Sequence, residues 1–185
     1  MTARGAAALL FALALATCGA NAADDVPQPP GYRTHDYRAP VPKGLDGART
    51  VSTAQAADLW RQGGAVFVDV MPQAPRPRGL PAGTIWRDKP RFNVPGSVFL
   101  PDTGYGELAP AMAEYFAHGL ARATGGDRSR PLLFYCLADC WMSWNAAKRA
   151  LALGYPNVIW YPDGTDAWQA AGMPLMEAKP EPRPE

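Results

Sequence analysis

Pro131-Leu132-Leu133-Phe134-Tyr135-Cys136-Leu137-Ala138-Asp139-Cys140-Trp141 decides how this chain is read. Its first five residues are a short, almost wholly apolar run, the pattern of a strand buried on both faces of a parallel sheet. Ser143 to Leu153 then reads as a helix, stopped at Gly154. A strand that turns directly into a helix puts a cysteine in the turn close to the helix N-terminus. Unpaired N–H groups and the helix dipole there favour the thiolate, the reactive form. Cys136 and Cys140 both lie in this turn, four positions apart.

The same alternation extends to both sides. Ser52-Thr53-Ala54-Gln55 fits a capping box, followed by a helix with Ala56, Leu59 and Trp60 on one face and Gly63-Gly64 at its end. Ala65 to Val70 reads as a central strand with Asp69 as the polar exception near its C-terminal end. Val98-Phe99-Leu100 is another strand, and Ala111 to Ala123 a helix with Met112, Tyr115, Phe116 and Leu120 on its apolar side. Asn157 to Tyr161 is a further strand, and Gly164 to Ala171 a short helix around Trp168. Strands alternating with helices predict an α/β domain with a mostly parallel central sheet flanked by helices.

Residues 1–22 read as an export signal: Arg4, an apolar core from Ala6 to Ala16, and Ala20-Asn21-Ala22 as a small-x-small cleavage site. Leu15-Ala16-Thr17-Cys18 resembles a lipobox, with Thr17 unfavourable before the cysteine. The apolar run is too short for a permanent membrane span. Export predicts a periplasmic protein in an oxidising compartment, where a close cysteine pair persists as a disulfide unless it is reduced. Loss of the signal leaves 17 basic against 17 acidic residues, so no global field attracts nucleic acid or a membrane surface. Residues 23–49 read as a proline-rich extended arm, ordered only where it lies on the domain, residues 50–176 as the domain, and 177–185 as a flexible, frayed tail. The segment from Met71 to Arg91 is irregular, with five prolines and the cations Arg76, Arg78, Arg87, Lys89 and Arg91; a solvated surface loop is favoured over one folded across the site.

In order along the chain, these pieces resemble the rhodanese family. Val68-Asp69-Val70 is similar to the family's D-V-R strand end and Val94-Pro95-Gly96-Ser97 to its I-P-G-A turn. Tyr135-Cys136 is similar to the catalytic Y-C, and Gly164, Trp168, Ala171-Gly172 and Pro174 to the closing G-G-x-x-x-W-x-x-A-G-x-P box. The resemblance implies a rhodanese-like fold with Cys136 as nucleophile. Tyr135 to Asn145 further resembles exported CxxxCW-motif proteins associated with PQQ-dependent (quinoprotein) alcohol catabolism. This implies a periplasmic quinoprotein dehydrogenase or its electron-transfer proteins as partners.

The departures from the family are specific. Met142 stands where the loop arginine would be, the loop is one residue longer, and its glycine is missing. Asp139 adds a negative charge that opposes both thiosulfate and a thiolate. Ordinary thiosulfate sulfurtransferase activity is therefore not expected. Lys148 and Arg149, a turn or more along the helix, are the candidate replacements for the missing loop cation.

Three readings of the pair stay open on the sequence. Cys136 attacks a disulfide or takes up sulfane sulfur and Cys140 resolves it, with Leu137, Ala138, Asp139, Trp141, Met142, Ser143 and Asp69 as loop and site support. Alternatively, Cys136, Cys140 and Met142 bind copper(I), although neither His35 nor His118 is placed to help. Or the pair is a structural disulfide in a binding module, where so short a loop contributes about 2 kcal/mol in the loop-closure model. Asp69 is expected to hold loop backbone through hydrogen bonds. Trp160 and Trp168 are expected in the core, whereas Trp141 is the best candidate for a partner or cofactor surface, with packing on the loop an equal alternative.

Overall fold

The computed structural model describes residues 25–74, 77–87 and 89–183. The export-signal reading, Cys18, Arg76 and the last two residues lie outside them.

Seven strands and four helices follow one another: β1 (Arg49–Thr50), α1 (Thr53–Gln62), β2 (Val66–Asp69), β3 (Phe92–Asn93), β4 (Val98–Phe99), α2 (Pro110–Thr124), β5 (Leu132–Tyr135), α3 (Trp141–Ala152), β6 (Val158–Trp160), α4 (Gly164–Ala170) and β7 (Met176–Glu177). Five strands form one parallel sheet in the order β1-β6-β5-β2-β4, and β3 pairs antiparallel with β7. β5 lies in the middle because both its faces are apolar. Leu132 and Phe134 pack into a core shared with α2 and α3, whereas Leu133 and Tyr135 face the opposite core with α1 and Trp168. All four side chains are fully buried.

α1 starts as its sequence predicts. Gln55 N–H donates to Ser52 Oγ and Ser52 N–H to Gln55 Oε1, and Gly63 ends the helix in the left-handed conformation. α3 starts at Trp141, two residues earlier than read from the sequence, so Trp141 and Met142 belong to its first turn.

The arm lies on the domain because the two surfaces are complementary in hydrogen bonding. Its prolines remove donors and leave carbonyls, while α3 presents donors. Trp141 Nε1–H donates to Pro40 O (3.1 Å), Trp144 Nε1–H to Gly44 O (3.2 Å), and Lys148 Nζ to Pro29 O and Pro30 O (both 2.9 Å). Asn145 Nδ2 donates to Arg33 O (2.8 Å), and Asn145 Oδ1 accepts from Arg33 N–H (2.9 Å). Leu45 is buried in the α3 core.

The stretch expected to fray is held in place as far as Arg183. Ala178 N–H donates to Arg91 O, Glu181 N–H to Phe99 O and Tyr115 Oη to Glu181 O, and Arg183 pairs with Asp102. The physical reason is the sheet edge. β4 is an edge strand whose outer polar groups need partners, and the tail supplies them.

Candidate functional site

Cys136 follows the last residue of the central strand β5, and Cys140 is the N-cap of α3. Their Cα atoms are 6.4 Å apart and their sulfurs form a disulfide, a separation inside the ordinary range for such a bond. Within the loop, Leu137 and Ala138 are half-buried and Asp139 is exposed with φ +48°, a left-handed conformation unusual outside glycine. Asp139 thus occupies the kind of backbone position that the family's missing glycine would suit. Ala138 N–H donates to Asp166 Oδ2 at 3.2 Å, and Ser143 Oγ donates to Cys140 O and accepts from Trp160 Nε1–H.

The carbonyl of Cys136 accepts three hydrogen bonds: from Thr165 N–H (3.0 Å), Thr165 Oγ1 (3.2 Å) and Arg91 Nη2 (3.2 Å). Arg91 Nε in turn donates to Asp69 Oδ2 at 2.7 Å, and Asp69 Oδ1 accepts from Met71 N–H at 3.0 Å. Asp69 is fully buried, and burial pushes its carboxyl above the ordinary value of 3.8 despite the opposing pull of Arg91's charge and hydrogen bond. Asp69 therefore holds loop backbone directly at Met71 and, through Arg91, at Cys136. Tyr135 Oη accepts from Val94 N–H and donates to Ser97 Oγ, and burial first, then the Asp69 charge, pushes its hydroxyl well above 10.0.

Arg91 and Thr165 are functional neighbours that sequence reasoning missed. Arg91 was grouped with a solvated cationic loop. That description fits the exposed Arg78, Arg87 and Lys89, but Arg91 turns inward to the only buried carboxylate among the described residues. Gly164 was recognisable from the closing box, and the structure gives the reason. Its φ is +54°, and an added Cβ would stand 2.6 Å from Cys136 O. Gly164→Ala is expected to displace the cysteine loop and cost about 2–4 kcal/mol, overpacking added to an unfavourable left-handed residue. Thermal unfolding of the variant with the disulfide intact checks this.

Several expectations are corrected by the packing. Trp141 is 2% exposed and carries the arm, so it is not an open partner surface. Lys148 and Arg149 do not replace the loop arginine. Lys148 points to the arm carbonyls, and Arg149 donates to the carbonyls of Thr103, Tyr105 and Gly106. Met142 is buried in the first turn of α3. With Cys136 and Cys140 bonded to each other, this state offers copper(I) no thiolate. Among the described residues no three Cys, His, Asp or Glu side chains gather as a metal cluster, and no helix is long and apolar enough to cross a membrane.

A parallel α/β sheet with a loop carrying a cysteine pair between its central strand and the following helix defines the class. The family model of the rhodanese-like domain matches residues 52–171, and the chain belongs to that family. Solved structures similar to it include a protein of unknown function from Rhodopseudomonas palustris described as a possible tyrosine phosphatase. That match is 24% identical, covers 70% of this chain and 85% of that one, and has a TM-score of 0.45. A polysulfide-sulfur transferase from Wolinella succinogenes is 17% identical over 70% and 79% of the two chains, with a TM-score of 0.45. The 3-mercaptopyruvate sulfotransferase of Escherichia coli is 20% identical over 67% of this chain, TM-score 0.38, and the match covers 47% of that enzyme. The comparison with curated proteins gives no match.

Proposed function

We propose that this protein is an exported, periplasmic rhodanese-like relay in which Cys136 and Cys140 cycle between dithiol and disulfide. The observation that carries the proposal is the pair itself: two cysteines in one loop, bonded to each other, with one at the end of the central strand and the other capping α3.

The chemistry is a two-electron exchange. The Cys136 thiolate attacks a partner disulfide and expels one partner thiolate. The Cys140 thiolate then attacks the Cys136 sulfur of the mixed disulfide and expels the second. Two cysteine thiols are oxidised and one partner disulfide is reduced. The sulfur-carrying version ends in the same bond. A protonated persulfide on Cys136, loaded from a sulfane-sulfur donor, is attacked at its inner sulfur by the Cys140 thiolate; the bond to the outer sulfur breaks, that sulfur leaves with its proton as hydrosulfide, and a dithiol reductant resets the pair. The position of Cys140 at the helix N-terminus favours its thiolate in either route.

The resemblance of Tyr135 to Asn145 to CxxxCW proteins of quinoprotein alcohol catabolism supports a periplasmic PQQ-dependent dehydrogenase, or its electron-transfer proteins, as the system served. Intact mass after alkylation, with and without reductant, tests the relay on protein taken from the periplasm. The expected result is a pair that thiols open reversibly in the folded protein. A pair that opens only after unfolding would reduce it to a structural staple.

A further inference from the structure

The disulfide is covered. Cys136 and Cys140 are 0% and 2% exposed, so a partner sulfur cannot reach bonding distance while the arm stays in place. The segment 33–38 runs directly beside Cys140, held by one main-chain bond and several bonds that use a side chain. Arg38 forms an antiparallel bridge with Cys140, Trp141 N–H donates to Tyr37 O at 2.9 Å, and Gly106 N–H donates to Tyr37 Oη at 3.1 Å. Asn145 clasps Arg33 from both sides of its peptide, and the Arg33 guanidinium lies 5.2 Å above the Trp141 ring.

This segment is shallow. Thr34, His35, Asp36 and Arg38 are exposed, and Asp36 has φ +45°. The arm's deep anchors, Pro42 and Leu45, come afterwards. A strap with four of its six residues exposed, tied by a few part-buried hydrogen bonds between anchors at Pro29-Pro30 and Leu45, opens at lower free energy than the core and without unfolding the domain. What it occupies is a short main-chain edge beside the reactive sulfurs, and an edge of this kind accepts any extended peptide in the same register.

We propose that the Cys140–Trp141 edge is the docking site for the extended segment around a partner protein's reactive cysteine, with residues 33–38 as its intramolecular occupant. The inference rests on the relay reading and adds the kind of partner and the route of entry. The partner segment displaces the strap, takes over the Trp141 N–H, and brings its thiolate to Cys136. A sulfur–sulfur bond forms between the partner and Cys136 while the Cys136–Cys140 bond breaks. The electron pair leaves on Cys140 as a thiolate at the α3 N-terminus, a stabilised leaving group. Asp139 contributes to the opening. Its left-handed backbone costs about 1 kcal/mol or more, and the curl it maintains is relaxed once the crosslink is cut.

The test uses the full chain and a six-residue peptide with a central cysteine. The comparison is the same peptide with an alkene isostere in place of the amide whose carbonyl would accept from Trp141 N–H, which leaves the thiol but removes the acceptor. The ordinary peptide is expected to form the mixed disulfide about fivefold faster, the worth of one main-chain hydrogen bond. Hydrogen exchange is then expected to show Trp141 N–H still protected and the amide of Arg33, released from Asn145 Oδ1, newly exposed. Asn145→Ala, which loosens the strap, is expected to speed both peptides. Tyr37→Phe, which removes only the bond from Gly106, should do so more weakly and guards against misfolding of the first variant. Equal rates for the two peptides, or an Arg33 amide that stays protected in the mixed disulfide, would overturn the docking edge and leave the relay standing. If neither peptide nor a small dithiol opens the bond in the folded protein, the relay and the edge fall together.

Discussion

Replacement of Arg91 by methionine is expected to destabilise the folded protein by about 3–5 kcal/mol, the usual cost of breaking a buried ion pair from one side. The methionine fills the volume but leaves Asp69, fully buried, with only the Met71 N–H as a partner. It also removes one of three donors from the Cys136 carbonyl. The effect carries a pH signature. Burial already holds the Asp69 carboxyl above its unfolded value of 3.8, so the folded chain binds that proton more tightly than the unfolded one. The stability linked to Asp69 is therefore fully present below 3.8 and declines as pH rises through the folded value. Without Arg91 the folded value moves higher, and the decline continues toward neutrality. The deficit of Arg91→Met against the parent should widen between about pH 4 and about pH 7 in urea unfolding. Asp69→Asn in the Arg91→Met background removes the charge and should recover much of the loss. A pH-independent deficit, unrelieved by the second change, would mean that Arg91 acts by packing alone.

Single serine replacements of the cysteines should separate their roles. Each removes the crosslink and costs about 2 kcal/mol of stability in the loop-closure model, so both proteins are expected to fold. Cys140→Ser keeps the sulfur at the end of β5 and loses the resolving partner; it should accumulate a mixed disulfide at Cys136 and stop there. Cys136→Ser should reduce thiol exchange to the level of the double replacement, because the remaining sulfur lacks the position from which the relay starts. Intact mass under non-reducing conditions after incubation with a small disulfide reads both outcomes. Exchange that survives in Cys136→Ser at the parent's rate would reverse the assignment of nucleophile.

The central sheet was legible in the sequence because its signals are local. The apolar run at 131–135 marks β5, and Ser52 and Gln55 mark the head of α1. The closeness of the two sulfurs was legible for the same reason, since a turn between a strand and a helix leaves a four-residue cysteine spacing little room to be anything but close. Of the two readings of Trp141 the structure bears out packing, but on a helix rather than a loop. The first turn of α3 begins with it, and its indole then finds a carbonyl 101 residues away at Pro40.

By itself, then, the sequence determined an α/β domain with a parallel core and a cysteine pair at a helix N-terminus. Hydrophobic period, capping residues and turn glycines act within a few positions and need no distant partner. Only the tertiary structure decided that Arg91, alone of the described cations in its loop, turns inward, because the pull comes from a buried carboxylate 22 residues earlier. Only the tertiary structure brought Thr165 onto the Cys136 carbonyl and laid the proline-rich arm over the disulfide. These contacts depend on which unsatisfied donors and acceptors the packed elements leave beside one another. That is a property of the assembled sheet and helices, and no local pattern encodes it.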